Sequence, residues 1–224
     1  MPIIVRGGRL VKNERSFYND DMPRVTPEHR AAQRQRILDA ARRCFVREGF
    51  HPTSMQDILA EAGISAGGVY VYFKSKEEIV EAIAVDTLAF FAAALESLLS
   101  TDHLPPLDVA LGDALRILRE HDREQPTFRV AVQIWGEVGR SPRLAAQVAE
   151  AQARGRGLFG RLIERYQTRG DLDPAAPRER IAQVLIAFMM GYVAQCALLG
   201  DIDVEVFIAG LRPLLDARLR SAAR

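Results

Sequence analysis

The chain has 224 residues, 48% hydrophobic and 26% charged, which suits one large or two small soluble domains and excludes a disordered or fibrous polymer. Its net charge of +1 hides a split: residues 1–76 carry 13 basic against 8 acidic side chains, residues 77–224 carry 17 against 21. A basic head fit for a polyanion therefore precedes a neutral or acidic body.

Residues 1–25 are polar and aperiodic and read as a flexible N-terminal arm. Within it Arg6-Gly7-Gly8-Arg9 fits either a minor-groove arm or a disordered extension, and Met22, opening MPRVTPEHR, is a candidate translation start that would leave residues 1–21 untranslated. The first helix begins at Thr26 as N-cap with Pro27 at its first position and Glu28 near the positive helix end. Ile37, Ala40, Ala41, Cys44 and Phe45 share its apolar face, Arg30, Gln33, Arg34 and Arg42 the opposite one, and Gly49 ends it. A short second helix is capped by Ser54, with Asp57 three residues on, and ends at Gly63. After a three-residue turn Ser65 is placed to cap a third helix, Ala66 to Phe73. Ser75 and Glu78 form a capping box for a long fourth helix running towards Leu99. Two short helices joined by a glycine turn behind a longer support describe a helix-turn-helix.

Proline and glycine breaks then predict helices at 106–123, 126–138, 142–169, 177–199 and 203–221, with no alternating strand pattern anywhere. Residues 182–200 are uncharged but borderline in length and interrupted by Gln183 and Gln195, so they read as a buried helix and not a membrane span. Cys44 and Cys196 lie far apart without metal spacing, which fits a reducing cytoplasm. The four histidines, at 29, 51, 103 and 121, stand at no triad or metal spacing, so no enzyme, cofactor or metal is expected.

The stretch GGVYVYFKSKEE, residues 67–78, carries the functional signal. Small residues at the start of a groove-entering helix, Ala66, Gly67 and Gly68, permit close backbone approach to DNA. Tyr70 can reach a phosphate through its hydroxyl, and Lys74 and Lys76 lie just beyond the helix. Thr53 and Ser54, with the free amides of the preceding helix, offer a second phosphate clamp, and Gln56 is a candidate base reader. Tyr72 suits packing on the first helix as well as it suits DNA.

Residues 37–83, ILDAARRCFVREGFHPTSMQDILAEAGISAGGVYVYFKSKEEIVEAI, resemble the DNA-binding domain of TetR-family transcriptional regulators. Gly49-Phe50, Thr53-Ser54, Ala62-Gly63 and the Gly-Val-Tyr-x-Tyr-Phe-x-x-Lys run from Gly68 to Lys76 carry the resemblance. It implies an all-α homodimer: a three-helix helix-turn-helix domain (26–90) that binds double-stranded operator DNA, and a helical body (91–224) that binds a small-molecule effector and dimerises. It gives the phosphate contacts to Thr53, Ser54, Tyr70 and Lys76, and places Gln56, Ala66, Gly67 and Gly68 among base-facing positions. Val71 departs from members with a polar or aromatic residue there, so shape readout is expected to matter.

In the body, residues 132–144 are similar to a subset of members with a Trp-containing helix followed by a Pro turn. Phe128, Arg129, Val132, Gln133, Trp135, Phe159, Tyr166, Met189 and Tyr192 are candidate walls of an effector pocket. Arg129 suits either a ligand carboxylate or a surface ion pair with Glu124 or Glu137. By the architecture that the resemblance implies, the last two helices pair with their copies, with Phe188, Gly191, Gln195, Leu198, Phe207, Leu211 and Leu214 as interface candidates. The expected function is a cytoplasmic, ligand-released repressor on a pseudo-palindrome. The alternatives are an activator of the same fold or a helical adaptor that binds no DNA.

Overall fold

The structure, a computed structural model, describes residues 26–101 and 103–221. The expectations for the arm, for Arg6–Arg9 and for Met22 lie outside these residues. Among them the chain is all-α: α1 Pro27–Glu48, α2 Met55–Ala62, α3 Ala66–Tyr70, α4 Lys76–Leu99, α5 Leu107–Glu124, α6 Thr127–Glu137, α7 Pro142–Arg169, α8 Arg178–Leu199 and α9 Val204–Ser221.

Local chemistry sets the early boundaries. The Thr26 hydroxyl accepts from the His29 amide at 3.2 Å, and Pro27 follows at the first helical position. At α2 the Ser54 hydroxyl accepts from Asp57 N at 3.2 Å while the Asp57 carboxylate accepts from Ser54 N at 2.7 Å, a closed capping box. Gly63 ends α2 in the left-handed region, φ 61°, where a side chain would strain the backbone.

Two capping expectations change. Ser65 occupies the N-cap of α3 but its side chain makes no capping bond. The Ser75 hydroxyl accepts from Glu78 N at 3.3 Å, yet the Glu78 carboxylate reaches past Ser75 to accept from Lys74 N at 2.7 Å. α3 is also shorter than expected. Val69 O accepts from both Tyr72 N and Phe73 N, at 2.8 and 2.9 Å, and this tight turn ends the helix at Tyr70 so that Phe73 can point inward. The later helices fall within one residue of their expected bounds, because each break is a local proline, glycine or cap signal.

The helices enclose two apolar cores. The first gathers Ile37, Phe45, Ile58, Val69, Phe73 and Ile79 from α1–α4, and is completed by Val130 and Ile134 of α6 and Leu144 of α7. The second joins the C-terminal half of α4 to α5–α9 around Leu111, Leu115, Phe128, Phe159, Tyr166 and Tyr192. Each large side chain buried in this way contributes about 1.5–3 kcal/mol. α4 belongs to both cores, and the expected domain boundary at 90/91 falls inside it. α4 and α8 are each long and apolar enough to cross a membrane, but α4 packs on α1, α5, α6 and α7, and α8 on α6 and α7. Both cysteines are buried free thiols.

Candidate nucleic-acid interface and an apolar cavity

The turn from α2 to α3 presents one exposed surface. Tyr70 is 51% exposed and Val71 79%, while Val69 before them and Phe73 after them are buried in the first core. Ser54, Gln56, Gly67 and Lys74 are exposed beside them. Nothing lies within 4 Å of where a Cβ on Gly67 would stand, so its smallness serves whatever approaches from outside. Ala66 is the first residue of α3.

Gly68 has the opposite reason for being glycine. A Cβ there would meet Ile64 Cγ2 at 2.7 Å, so the protein's own packing of α3 on the turn already demands the missing side chain. Tyr72 is half-buried, with part of its side chain packed against the first core.

Two expected phosphate binders are engaged internally. The Lys76 ammonium donates to the carbonyls of Phe50 at 2.7 Å, His51 at 3.2 Å and Thr53 at 2.8 Å, which uses all three of its donors, and it sits 4.4 Å from the centre of the Phe50 ring. Thr53 is buried and its hydroxyl donates to Gly49 O at 2.7 Å. Together they brace the 49–53 loop that aims α2. Ser54 stays exposed while capping; its hydrogen bonds, side chain first, hold the Asp57 carboxyl below the usual carboxylate range. Arg34, on the face of α1 opposite its apolar stripe, lies 3.8 Å from Asp86 and 5.5 Å from the Phe73 ring centre.

In the body a cavity opens between α4, α5, α6, α7 and α8. Its volume is about 120 Å³, and it is partly open to the outside. Of the nine expected pocket residues, Trp135, Phe159 and Met189 line it. The other six do not, each for a visible reason. The Tyr166 hydroxyl donates to Pro105 O at 2.7 Å and that of Tyr192 to Ile202 O at 2.9 Å. Each ties a helix to a loop, and burial pushes the Tyr166 phenol up to about 12 and the Tyr192 phenol higher than normal as well. Phe128 is core, edge-on to Tyr192. Arg129 is exposed on the outer side of α6, and Val132 lies outside the lining. Gln133 turns towards α1, its amide donating to Phe45 O at 3.0 Å while its own carbonyl oxygen is buried without a partner.

Met190 joins Met189 in the wall, and Thr87 and Phe91 of α4 and Gln152 of α7, none of them a candidate from the sequence, supply much of the rest. Thr87, a polar residue in the apolar stripe that also holds Ile83 and Ala84, was the available signal.

The outward face of α8 and α9 leaves Leu198 70% and Leu214 71% exposed, with Gln195 also in solvent. Val184, Leu199 and Val206, which the sequence reading did not single out, extend this apolar surface. Phe188 and Phe207 meet as tilted rings 5.0 Å apart at 33° and, with Leu211, pack against the second core; Gly191 is half-buried.

Comparison with known proteins agrees with this layout. A family model described as bacterial regulatory proteins, tetR family, matches residues 37–83, and one described as BetI-type transcriptional repressor, C-terminal, matches residues 112–220. The HTH-type transcriptional regulator YfiR of Bacillus subtilis (strain 168) is 30% identical over 194 residues, 84% of this chain and 91% of its own. The HTH-type transcriptional repressor BepR of Brucella suis biovar 1 is 26% identical over 192 residues, again 84% and 91%. The solved structure of Salmonella enterica GusR superposes with a TM-score of 0.69 at 27% identity, over 88% of this chain and 98% of that one. From the capped turn around Gly63 to the helical body behind it, the chain belongs to the TetR family of bacterial transcriptional regulators.

Proposed function

We infer that the chain is a cytoplasmic, ligand-responsive repressor, a homodimer through α8 and α9 that holds a pseudo-palindromic operator and lets go when a small molecule enters the cavity. Tyr70, Gln56, Gly67, Ser54 and Lys74 meet the DNA in this reading, while Thr53 and Lys76 hold the loop that positions them. The observation that carries it is continuity. Ala84 of α4 and Ile134 of α6 belong to the first core and to the cavity wall at once. Filling the cavity would therefore press on the elements that support α3. Two DNA-reading heads must stand about one helical turn of DNA apart, so a small rotation of each suffices to break the match, and a coupling of about 1–3 kcal/mol is enough for induction.

The test is fluorescence anisotropy with labelled DNA from immediately upstream of the gene, and with sequences selected from random DNA, across a salt series. Tight, salt-dependent, selective binding is expected, and Tyr70→Ala should weaken it about 10-fold to 100-fold, the loss of one hydrogen bond to a charged group. Absence of selective binding to any sequence would sink the reading.

A further inference from the structure

Resting on the reading of the cavity as the effector site, we propose that it takes a neutral lipophilic molecule with a single hydroxyl- or carbonyl-type group, docked against Thr87 and Gln152, and rejects anions and cations of the same size.

The wall dictates this chemistry. Among the described residues that line the cavity none is charged, and the polar side-chain groups are the Thr87 hydroxyl, the Gln152 amide and the indole N–H of Trp135. An ionised carboxylate or ammonium would lose its water there and gain no counter-charge, a cost that partial dipoles do not offset. Phe91, Trp135 and Phe159 offer ring faces, but no carboxylate stands beside them to hold a cation. Met189 and Met190 supply soft walls that adjust to an irregular apolar outline.

Thr87 and Gln152 are poised for a partner. Thr87 is 6% exposed and its hydroxyl makes no hydrogen bond among the described residues. Helical hydroxyls usually bond back to the carbonyl four residues earlier, as Thr168 does to Glu164 O and Ser100 to Glu96 O in this chain. Thr87 forgoes that bond, yet its oxygen is not among the fully buried polar atoms left without a partner, so it is open to a molecule in the cavity that it lines. The Gln152 amide donates only to the thioether of Met190, at 3.3 Å, a weak acceptor that a ligand oxygen would outcompete. One neutral oxygen that donates and accepts answers both groups.

Size narrows the class further. The cavity holds about 120 Å³, and an apolar cavity of about 150 Å³ in another protein takes up benzene. The buried portion of the ligand is therefore one compact ring, with any chain running along the open mouth.

The test uses the full chain and four matched probes: 3-phenylpropan-1-ol, 3-phenylpropanoate, 3-phenylpropylammonium and propylbenzene. Trp135 is the only tryptophan of the chain and stands in the wall, so its emission reports occupancy. Near neutral pH the alcohol is expected to bind at least about 10-fold more tightly than either ion. Thr87→Val keeps the side-chain shape; it should weaken the alcohol about 5-fold, leave propylbenzene unchanged and leave the thermal midpoint unmoved. Equal or tighter binding of an ion, an equal effect of Thr87→Val on alcohol and hydrocarbon, or no binding of any probe overturns the proposal. An alcohol that binds with the expected pattern but leaves the operator complex intact refutes ligand release and upholds the ligand class.

Discussion

Lys76 and Gly68 look like nucleic-acid residues in a linear reading, and each serves the protein's own packing. Lys76 spends its three N–H donors on carbonyls 23 to 26 residues earlier in the chain. Lys76→Met keeps the stem and removes the donors, and should cost about 2 kcal/mol in urea unfolding because the carbonyls are left without their partner. Tyr70→Ala, on the exposed surface, should leave the urea midpoint where it is and lower only operator affinity. The two glycines separate in the same way. Gly68→Ala drives a methyl into Ile64 and should destabilise by about 1–3 kcal/mol. Gly67→Ala meets nothing in the free protein and should hold or raise stability by up to about 1 kcal/mol, while weakening DNA binding in anisotropy.

At the scale of elements, α6 is the strut between the cavity and the head. Ile134 and Trp135 face the cavity, Val130 and Ile134 fill the first core, and Gln133 reaches the last turn of α1 at Phe45. Gln133→Leu exchanges one hydrogen bond and one unpaired buried oxygen for apolar packing, so stability should change by less than about 1 kcal/mol. Operator affinity should stay as it is while the concentration of neutral ligand needed for release rises, read as a right-shifted anisotropy titration. An unshifted titration would remove Gln133 from the coupling route.

What the sequence made legible follows from range. Thr26, Ser54, Gly49 and Gly63 act on backbone groups within a few residues of themselves, so the helix bounds and the helix-turn-helix could be read from spacing alone. The Lys76 cradle, made with carbonyls 23 to 26 residues earlier, arises only when the chain folds back on itself, and the contact between Ile64 and Gly68, though local, depends on the exact path of the turn. The cavity was legible in part. Trp135, Phe159 and Met189 were aromatic or soft residues on inward faces, but the same description fitted Tyr166 and Tyr192, whose hydroxyls found loop carbonyls instead. Thr87 escaped notice because a lone threonine in an apolar helix ordinarily bonds to its own backbone.

For the molecule as a whole, the outward side of α8 and α9 concentrates apolar surface that the single chain does not cover. Stable dimer interfaces bury about 800 Å² per partner, and Leu198 and Leu214 stand where such an interface would centre on a pair of α8–α9 hairpins. Leu198→Asp touches a residue already in solvent, so the fold should survive with an unchanged circular dichroism spectrum. The variant should elute as a monomer in size-exclusion chromatography with light scattering and lose high-affinity binding to the two-half-site operator. A variant that remained a dimer would move the interface elsewhere.

The first core closes only when Val130, Ile134 and Leu144, more than forty residues beyond Ala84, fold onto it. A chimera that joins residues 26–90 to a relative's body would therefore inherit a head with three of its inner surfaces mismatched. Sensor engineering on this scaffold should transplant the matching α6 and the start of α7 along with the head, and calorimetry of a graft lacking them should show the head melting first, as a separate and lower transition.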